Sequence, residues 1–433
     1  MTMSTPKKIF FALIAITLPL LFIELTSYAI VKIFFPQAYV ENKRNPLKSA
    51  SDFRTDYSSN DFSKENYDYT KDFYGPYLHD TSMTLPERLI GPRAMAHYFR
   101  LDHYTLFPFT MFHLQRNYRS AIVNTNHLGF RAREFGDYLT DPRPKIIILG
   151  GSALFGSILT SDDKTISAQL ESYLRRHGRD VTCINLAMGG YTSEQEMIIL
   201  SRLGLRLNPA IVIAIDGCND VVHSLRHRDL PHLFPNLANL FYGGIPPNSS
   251  PGVYVRALIK HLGRYSSFFC LTGIVSTKLS SKDQNSAKLD NCILFPGVSD
   301  EEAIADNFIN SHAVMYSLCK ARNMGYIAGL QPLCGMWIEP RWEGEVDQSI
   351  RSNPKFVKVY NSLDSRLDAL AKKEGFFYQN FGKTLANSNN LYNFSDPVHL
   401  TDSSAGIIAQ RLGEIILSDP SGKFGEALRS QNH

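Results

Sequence analysis

The sequence predicts a doubly wound α/β domain, a parallel sheet with helices on both faces, over residues 144–418. In this part of the chain, short continuous apolar runs alternate with longer segments of helical periodicity. Such alternation is typical of parallel strands joined by crossover helices. A second observation is the apolar stretch 9–31, which predicts a transmembrane helix ahead of the domain.

Five apolar runs are the predicted strands of the sheet. They lie at 146–149, 181–186, 210–217, 326–332 and 376–380. Helical spacing predicts helices at 165–178, 192–205, 299–325, 356–375 and 401–417. Two of these helices begin with a capping box, Thr192 with Gln195 and Ser299 with Glu302. Residues 224–298 are rich in Pro, Gly and Ser and interrupt the alternation, which indicates an insertion.

The amino-terminal part, residues 1–36, carries the predicted membrane anchor. Its apolar run is interrupted only by Pro19 and Glu24, and it is long enough to cross a hydrocarbon core of about 30 Å. Ser27 and Ala29 also fit a small-x-small signal-peptide cleavage site, so a cleaved signal is an alternative, as is a buried core helix. Lys7 and Lys8 favour a cytoplasmic amino terminus, although further basic residues follow the run and weaken that signal.

Two other segments flank the domain. Residues 37–143 are polar and aromatic with few periodic apolar runs, which predicts an irregular extension that packs on the core. Residues 419–433 form a short C-terminal tail.

Composition argues against several functions. Forty-five basic and 41 acidic residues give a net charge of only +4, and no stripe of Lys and Arg interleaved with aromatics suggests nucleic-acid binding. The six cysteines include no CxxC pair and no Cys/His ligand spacing, so we expect no metal site. No phosphate loop and no GxGxxG motif is present, and we expect no cofactor.

The chemistry-bearing residues follow the ends of predicted strands. Ser152 comes after the first strand, Gly190 after the second and Asn219 after the third, while Asp396 and His399 precede the last helix. Loops at the carboxyl ends of parallel strands converge at one edge of the sheet. We therefore expect these residues to share one site.

Together they supply what nucleophilic acyl transfer needs. A histidine oriented by a carboxylate can take the proton of a serine hydroxyl, and Asp396 lies three residues before His399. The backbone N–H groups of Ser152 and Gly190 and the amide of Asn219 are candidate oxyanion-hole donors. Taken singly, each residue is more simply a turn, cap or core residue, and only the conjunction indicates an active site.

These stretches, GGSALFG, NLAMGGYTS, DGCND and SDPVHLTD, resemble the sequence blocks of the SGNH (GDSL) hydrolases, in the family's order. The resemblance implies a flavodoxin-like three-layer fold, with Ser152 as nucleophile and oxyanion donor, Gly190 and Asn219 as further donors, His399 as base and Asp396 as its partner. The family's first block usually reads GDS, whereas this chain has Gly151. NTNHLGFRARE at 124–134 resembles a segment of membrane-anchored bacterial members, which implies an extracytoplasmic domain.

The implied activity is that of a serine esterase, and we expect its substrate to be an O-acyl group, acetyl above all, on a polysaccharide or cell-envelope glycan. Two alternatives stay open. One is an acyltransferase that moves the acyl group to a glycan hydroxyl. The other is a non-catalytic accessory protein of envelope polysaccharide assembly.

Overall fold

The chain forms two compact units, one of residues 1–64 with 235–291 and one of residues 65–234 with 292–433. The computed structural model describes residues 5–34, 105–107, 109–120, 122–226, 262, 266–279, 298–338, 353–388, 390, 393–394, 398–419 and 422–430. Asp396, most of the 224–298 insertion and residues 37–104 lie outside these ranges.

The strands and helices follow the predicted order along the chain. The strands are β1 (Thr105–Phe107), β2 (Met111–His113), β3 (Lys145–Gly150), β4 (Thr182–Asn185), β5 (Ile211–Asp216), β6 (Gly325–Leu330) and β7 (Phe377–Asn380). The helices are α1 (Thr5–Phe34), α2 (Phe135–Thr140), α3 (Ser152–Phe155), α4 (Ile166–Arg176), α5 (Ser193–Arg202), α6 (Cys218–Arg226), α7 (Ser267–Leu279), α8 (Asp300–Lys320), α9 (Pro354–Glu374), α10 (Phe381–Ala386), α11 (Asp402–Leu417) and α12 (Lys423–Ser430).

A five-stranded parallel sheet forms the centre of the larger unit, in the order β4-β3-β5-β6-β7. Ile147 of β3 pairs with Ile184 of β4 on one side and with Val212 of β5 on the other. β5 and β6 are buried along their whole length, which explains their uninterrupted apolar sequences. The strand order is the flavodoxin-like one, whose ligand crevice lies between the two strands at which the order reverses. Here these strands are β3 and β5.

Helices cover both faces of the sheet, as the doubly wound prediction requires. α4 packs on α11, while α5 packs on α8 and α8 on α9. The two capping residues keep their predicted places: Ser299 Oγ accepts from Glu302 N–H at 3.3 Å, and Gln195 Oε1 accepts from Thr192 N–H at 3.1 Å. The predicted fold class is confirmed.

Several elements of the larger unit had no predicted counterpart. A short antiparallel hairpin, β1 with β2, precedes the sheet. α12 lies in what the sequence indicates as a tail, and its Phe424 is buried against Gly325, where a Cβ atom would lie 2.7 Å from the phenylalanine ring. The last residues therefore contribute a packed helix to the α/β unit.

In the smaller unit, α1 contacts α7. By length and composition α1 can cross a membrane over Thr17–Phe34, where the mean hydropathy is 1.5 and only 11% of the residues are buried. Such low burial disfavours a core helix, whereas an anchor and a signal sequence both fit.

Candidate active site

Ser152 stands at the point where β3 turns into a helix of one turn. Gly151 precedes it with extended backbone, and α3 ends at Gly156, whose φ of 79° is left-handed. The Gly156 N–H donates to Ser152 O at 3.1 Å. Glycine adopts this left-handed conformation without a Cβ penalty. Ser152 is thereby fixed at the sheet edge as a half-buried residue.

His399 contacts Ser152, although most of the sequence of the α/β domain lies between them. Its Nε2 lies 2.8 Å from Ser152 Oγ, although the two residues are 247 positions apart in the chain. The strand-like bridge between Phe394 and Leu400 holds the loop that carries the histidine. The Gln331 side-chain amide, at the end of β6, donates to Val398 O at 3.4 Å. A proton can pass between a hydroxyl oxygen and an imidazole nitrogen at this distance.

Asn219 lies in the first turn of α6, beside Gly151 of the serine loop. Its Nδ2 donates to Tyr191 O at 2.8 Å, which fixes the amide. A side-chain amide carries two N–H donors, and within the described ranges Tyr191 O is the hydrogen-bond acceptor of this amide. Asn219 Nδ2 also lies so near Gly151 that a Cβ atom there would be 2.6 Å from it and 3.3 Å from Tyr191 O. The glycine that departs from the GDS pattern is therefore the residue that makes room for Asn219.

Gly190 lies in the loop between β4 and α5, one residue before Tyr191. Its φ of 83° is left-handed, which favours glycine. A Cβ atom at this position would contact the Phe112 ring at 3.4 Å. The structure thus brings Ser152, His399, Asn219 and the Gly190 loop to one edge of the sheet, beside the crevice between β3 and β5. Asp396 stays a prediction, because it lies outside the described residues.

A buried acidic group lies behind the site. Asp220 Oδ1 accepts from Ser193 Oγ at 2.6 Å, while Asp216 Oδ1 lies 3.0 Å from Nε2 of the fully buried His312. Burial raises the pKa of Asp220 to about 8, and the charge of Asp216 adds to the rise. Burial likewise raises the pKa of Glu196, again with a contribution from Asp216. Burial disfavours the charged form of a carboxyl group, so Asp220 and Glu196 favour their neutral forms.

The residues before β3 also contact the site loops. Tyr191 Oη donates to Phe112 O at 2.8 Å, and the Gln195 amide donates to Thr110 O at 2.7 Å. Arg131 is buried and donates to Asp162 Oδ1 and Ile122 O, both at 2.6 Å, and to Gly156 O. Arg131 therefore holds the carbonyl at the end of the serine's own helix.

The sequence did not predict three of these contacts. They are the hydrogen bond between Asp220 and Ser193, the close approach of Gly151 to Asn219, and the hydrogen bond from Arg131 to Gly156 O. Asp220 follows a predicted site residue and the segment of Arg131 is singled out by its resemblance, so both positions carry a signal. Their partners Ser193 and Gly156 lie in the stretches NLAMGGYTS and GGSALFG, but nothing in those stretches indicates these two contacts.

No protein-family model matches the chain, and no characterised protein matches it in sequence. Among solved structures, a GDSL-like lipase from Bacteroides thetaiotaomicron is similar at 14% identity and a TM-score of 0.37, over 66% of this chain and 97% of its own. An acetyl xylan esterase gives 14% identity and a TM-score of 0.37 over 62% and 97%. An aryl esterase from M. smegmatis gives 12% and 0.37 over 64% and 99%.

The first of these structures is described as GDSL-like, which is the name of the family that the sequence blocks resemble. Because identities and TM-scores are this low, the functional proposal rests on the residues of the site and not on these likenesses.

Proposed function

We propose that this chain is a serine esterase of the SGNH type. The observation that carries the proposal is the 2.8 Å contact between Ser152 Oγ and His399 Nε2 at the carboxyl edge of the sheet. A serine hydroxyl at this distance from an imidazole nitrogen can pass its proton to the ring as it attacks a carbonyl carbon. A serine that only caps a helix or forms a turn would not require a histidine from a distant part of the sequence beside its hydroxyl.

The proposed reaction forms an acyl-enzyme and then hydrolyses it. Ser152 Oγ attacks the acyl carbon while His399 takes the proton, and the carbonyl oxygen becomes an oxyanion. The second N–H of the Asn219 amide and the backbone N–H groups of Ser152 and Gly190 are the proposed donors to it. His399 then returns the proton to the leaving alcohol, and water repeats the sequence on the acyl-enzyme. Asp396 is proposed to orient His399.

We extend the proposal to the substrate: an acetyl ester on a polysaccharide or cell-envelope glycan, with the α/β unit on the extracytoplasmic side of the membrane that α1 enters. Support comes from the apolar α1, which would place the α/β unit at the cell envelope. Acetate release from an O-acetylated glycan, compared with turnover of a long-chain p-nitrophenyl ester, tests the substrate. A rate that rises with added sugar acceptor identifies a transferase instead.

The first test is fluorophosphonate labelling of the full chain in detergent, with p-nitrophenyl acetate turnover measured on the same samples. Ser152→Ala is expected to abolish labelling and to lower kcat on the order of a million-fold, by analogy with serine proteases. Ser161→Ala is the matched control, since that serine is also half-buried and its hydroxyl donates to Asp163. Equal behaviour of the parent and Ser152→Ala would leave the accessory function as the better hypothesis.

A further inference from the structure

Glu24 is the acidic residue inside the candidate membrane span of α1, and the structure gives it partners on another helix. Its carboxylate accepts from Ser266 Oγ at 2.7 Å and from Phe268 N–H at 3.2 Å. It also accepts from Ser267 N–H. Ser266 directly precedes α7, and Ser267 and Phe268 lie in its first turn, whose N–H groups have no partner within their own helix. Glu24 therefore caps α7 from outside.

α7 has the composition of a membrane segment but not the length of a full span. Its sequence, SFFCLTGIVSTKL, has no charged residue before Lys278. Thirteen residues give a helix of roughly 20 Å, against about 30 Å for a bilayer core. Ser267 and Cys270 are buried, whereas Phe268 and Val275 are 40% and 46% exposed.

The surface shared by α1 and α7 is apolar. Large side chains along α1 stand exposed, among them Leu18, Leu21 and Phe22 at 55–71%. An open apolar groove between the helices is lined by Leu18, Leu21, Phe268 and Phe269. A water-facing pair of helices would carry polar side chains on these positions.

We propose that α7 lies in the same bilayer as α1, as a half-spanning partner helix, and that lipid acyl chains fill the groove between them. The hydrogen bonds of Glu24 support this placement. A carboxylate within hydrocarbon has to find its hydrogen-bond donors on protein, because no water is there to supply them. The first turn of α7 supplies those donors, so it has to lie at the depth of Glu24. The part of α7 before Lys278, which has no charged residue in its sequence, then extends among lipid chains.

This inference rests on the proposed membrane anchoring of α1 and is independent of esterase activity. The test uses the full chain in vesicles of palmitoyl-oleoyl phosphatidylcholine, some of it carrying a nitroxide on the acyl chain. Val275→Cys is labelled with an NBD fluorophore, and its quenching by the nitroxide lipid and by aqueous iodide is measured. Val314→Cys is the matched control, a valine of similar exposure (44%) on α8 of the α/β unit. Leu21→Cys reports on α1.

The expected result is loss of fluorescence at residues 275 and 21 with nitroxide lipid and at residue 314 with iodide. Lipid quenching at residue 21 together with iodide quenching at residue 275 would overturn the proposal while leaving the anchor intact. Absence of lipid quenching at both would overturn the anchor and the proposal together. In Glu24→Ala, lipid quenching is expected to fall at residue 275 and to persist at residue 21. Unchanged quenching at residue 275 would show that Glu24 does not hold α7 in the membrane.

Discussion

Asp220 accepts hydrogen bonds from both the hydroxyl and the backbone N–H of Ser193, at 2.6 Å and 3.2 Å. Ser193 begins α5, directly after the loop of Gly190, and Asp220 follows Asn219 in α6. The bond between Asn219 and Tyr191 O joins the same two loops a second time. The proposed oxyanion donors are thus fixed relative to each other by contacts that no substrate has to form.

The buried Asp220 makes the stability of the chain depend on pH. Its pKa is raised from 3.8 to about 8, first by burial and then by the charge of Asp216. Between these values the folded chain binds more protons than the unfolded chain, so the free energy of unfolding falls as the pH rises through this window. The fall is limited to about 1.4 kcal/mol per pH unit for a single group.

Asp220→Asn should reduce this pH dependence, since its amide oxygen still accepts from Ser193 but cannot ionise. The measurement is the thermal unfolding midpoint of the full chain in detergent at about pH 5 and about pH 7.5. Asp180→Asn, at a side chain 71% exposed, serves as the control and should behave like the parent. If Asp220→Asn kept the parent's full shift between the two pH values, another group would be responsible.

The sequence was sufficient to predict the fold and the closeness of Ser152 to His399. Buried parallel strands leave continuous apolar runs, as in β5 and β6, and these runs located each strand of the central sheet. Because parallel strands bring their carboxyl ends to one edge, the order of the loops also placed Ser152 near His399. Asp396 is still a prediction.

The rest depended on contacts that leave no pattern. β1 and β2 have three residues each, too few for periodicity to show. The meeting of Asp220 with Ser193, and of Gly151 with Asn219, is decided by how two loops pack. Neither the residue types nor their spacing predicts these two contacts, since Asp, Ser, Gly and Asn are also ordinary turn residues.

Gly151→Ala is expected to lower the proposed esterase activity by displacing Asn219. The new Cβ would lie 2.6 Å from Asn219 Nδ2 and 3.3 Å from Tyr191 O, so the amide has to move. Loss of one oxyanion donor typically lowers kcat by about 100- to 1000-fold. Asn219→Ala should give a similar loss, measured as p-nitrophenyl acetate turnover.

The double variant distinguishes this cause from general damage. If Gly151→Ala acts only by displacing the amide, adding it to Asn219→Ala should cost little more, because both remove the same interaction. Losses that multiply would contradict that explanation. Gly136→Ala is the matched control, since its Cβ meets nothing within 4 Å, and it should keep full activity.

Arg131 is expected to support the serine helix from behind. Its side chain is 1% exposed, and its guanidinium bonds Asp162, Ile122 O and Gly156 O at once. A lysine ammonium cannot reproduce this planar fork. Arg131→Lys should therefore leave buried acceptors without a donor, which lowers the free energy of unfolding by about 1.5–3 kcal/mol.

The same change should slow fluorophosphonate labelling of Ser152, because Gly156 ends the one-turn helix that the serine begins. Arg133→Lys, at a side chain 49% exposed, is the matched control and should alter neither stability nor labelling. If Arg131→Lys destabilised the chain but the folded protein labelled at the parent rate, Arg131 would be a stabilising residue without influence on Ser152. Slower labelling at temperatures well below unfolding would show instead that Arg131 positions the nucleophile.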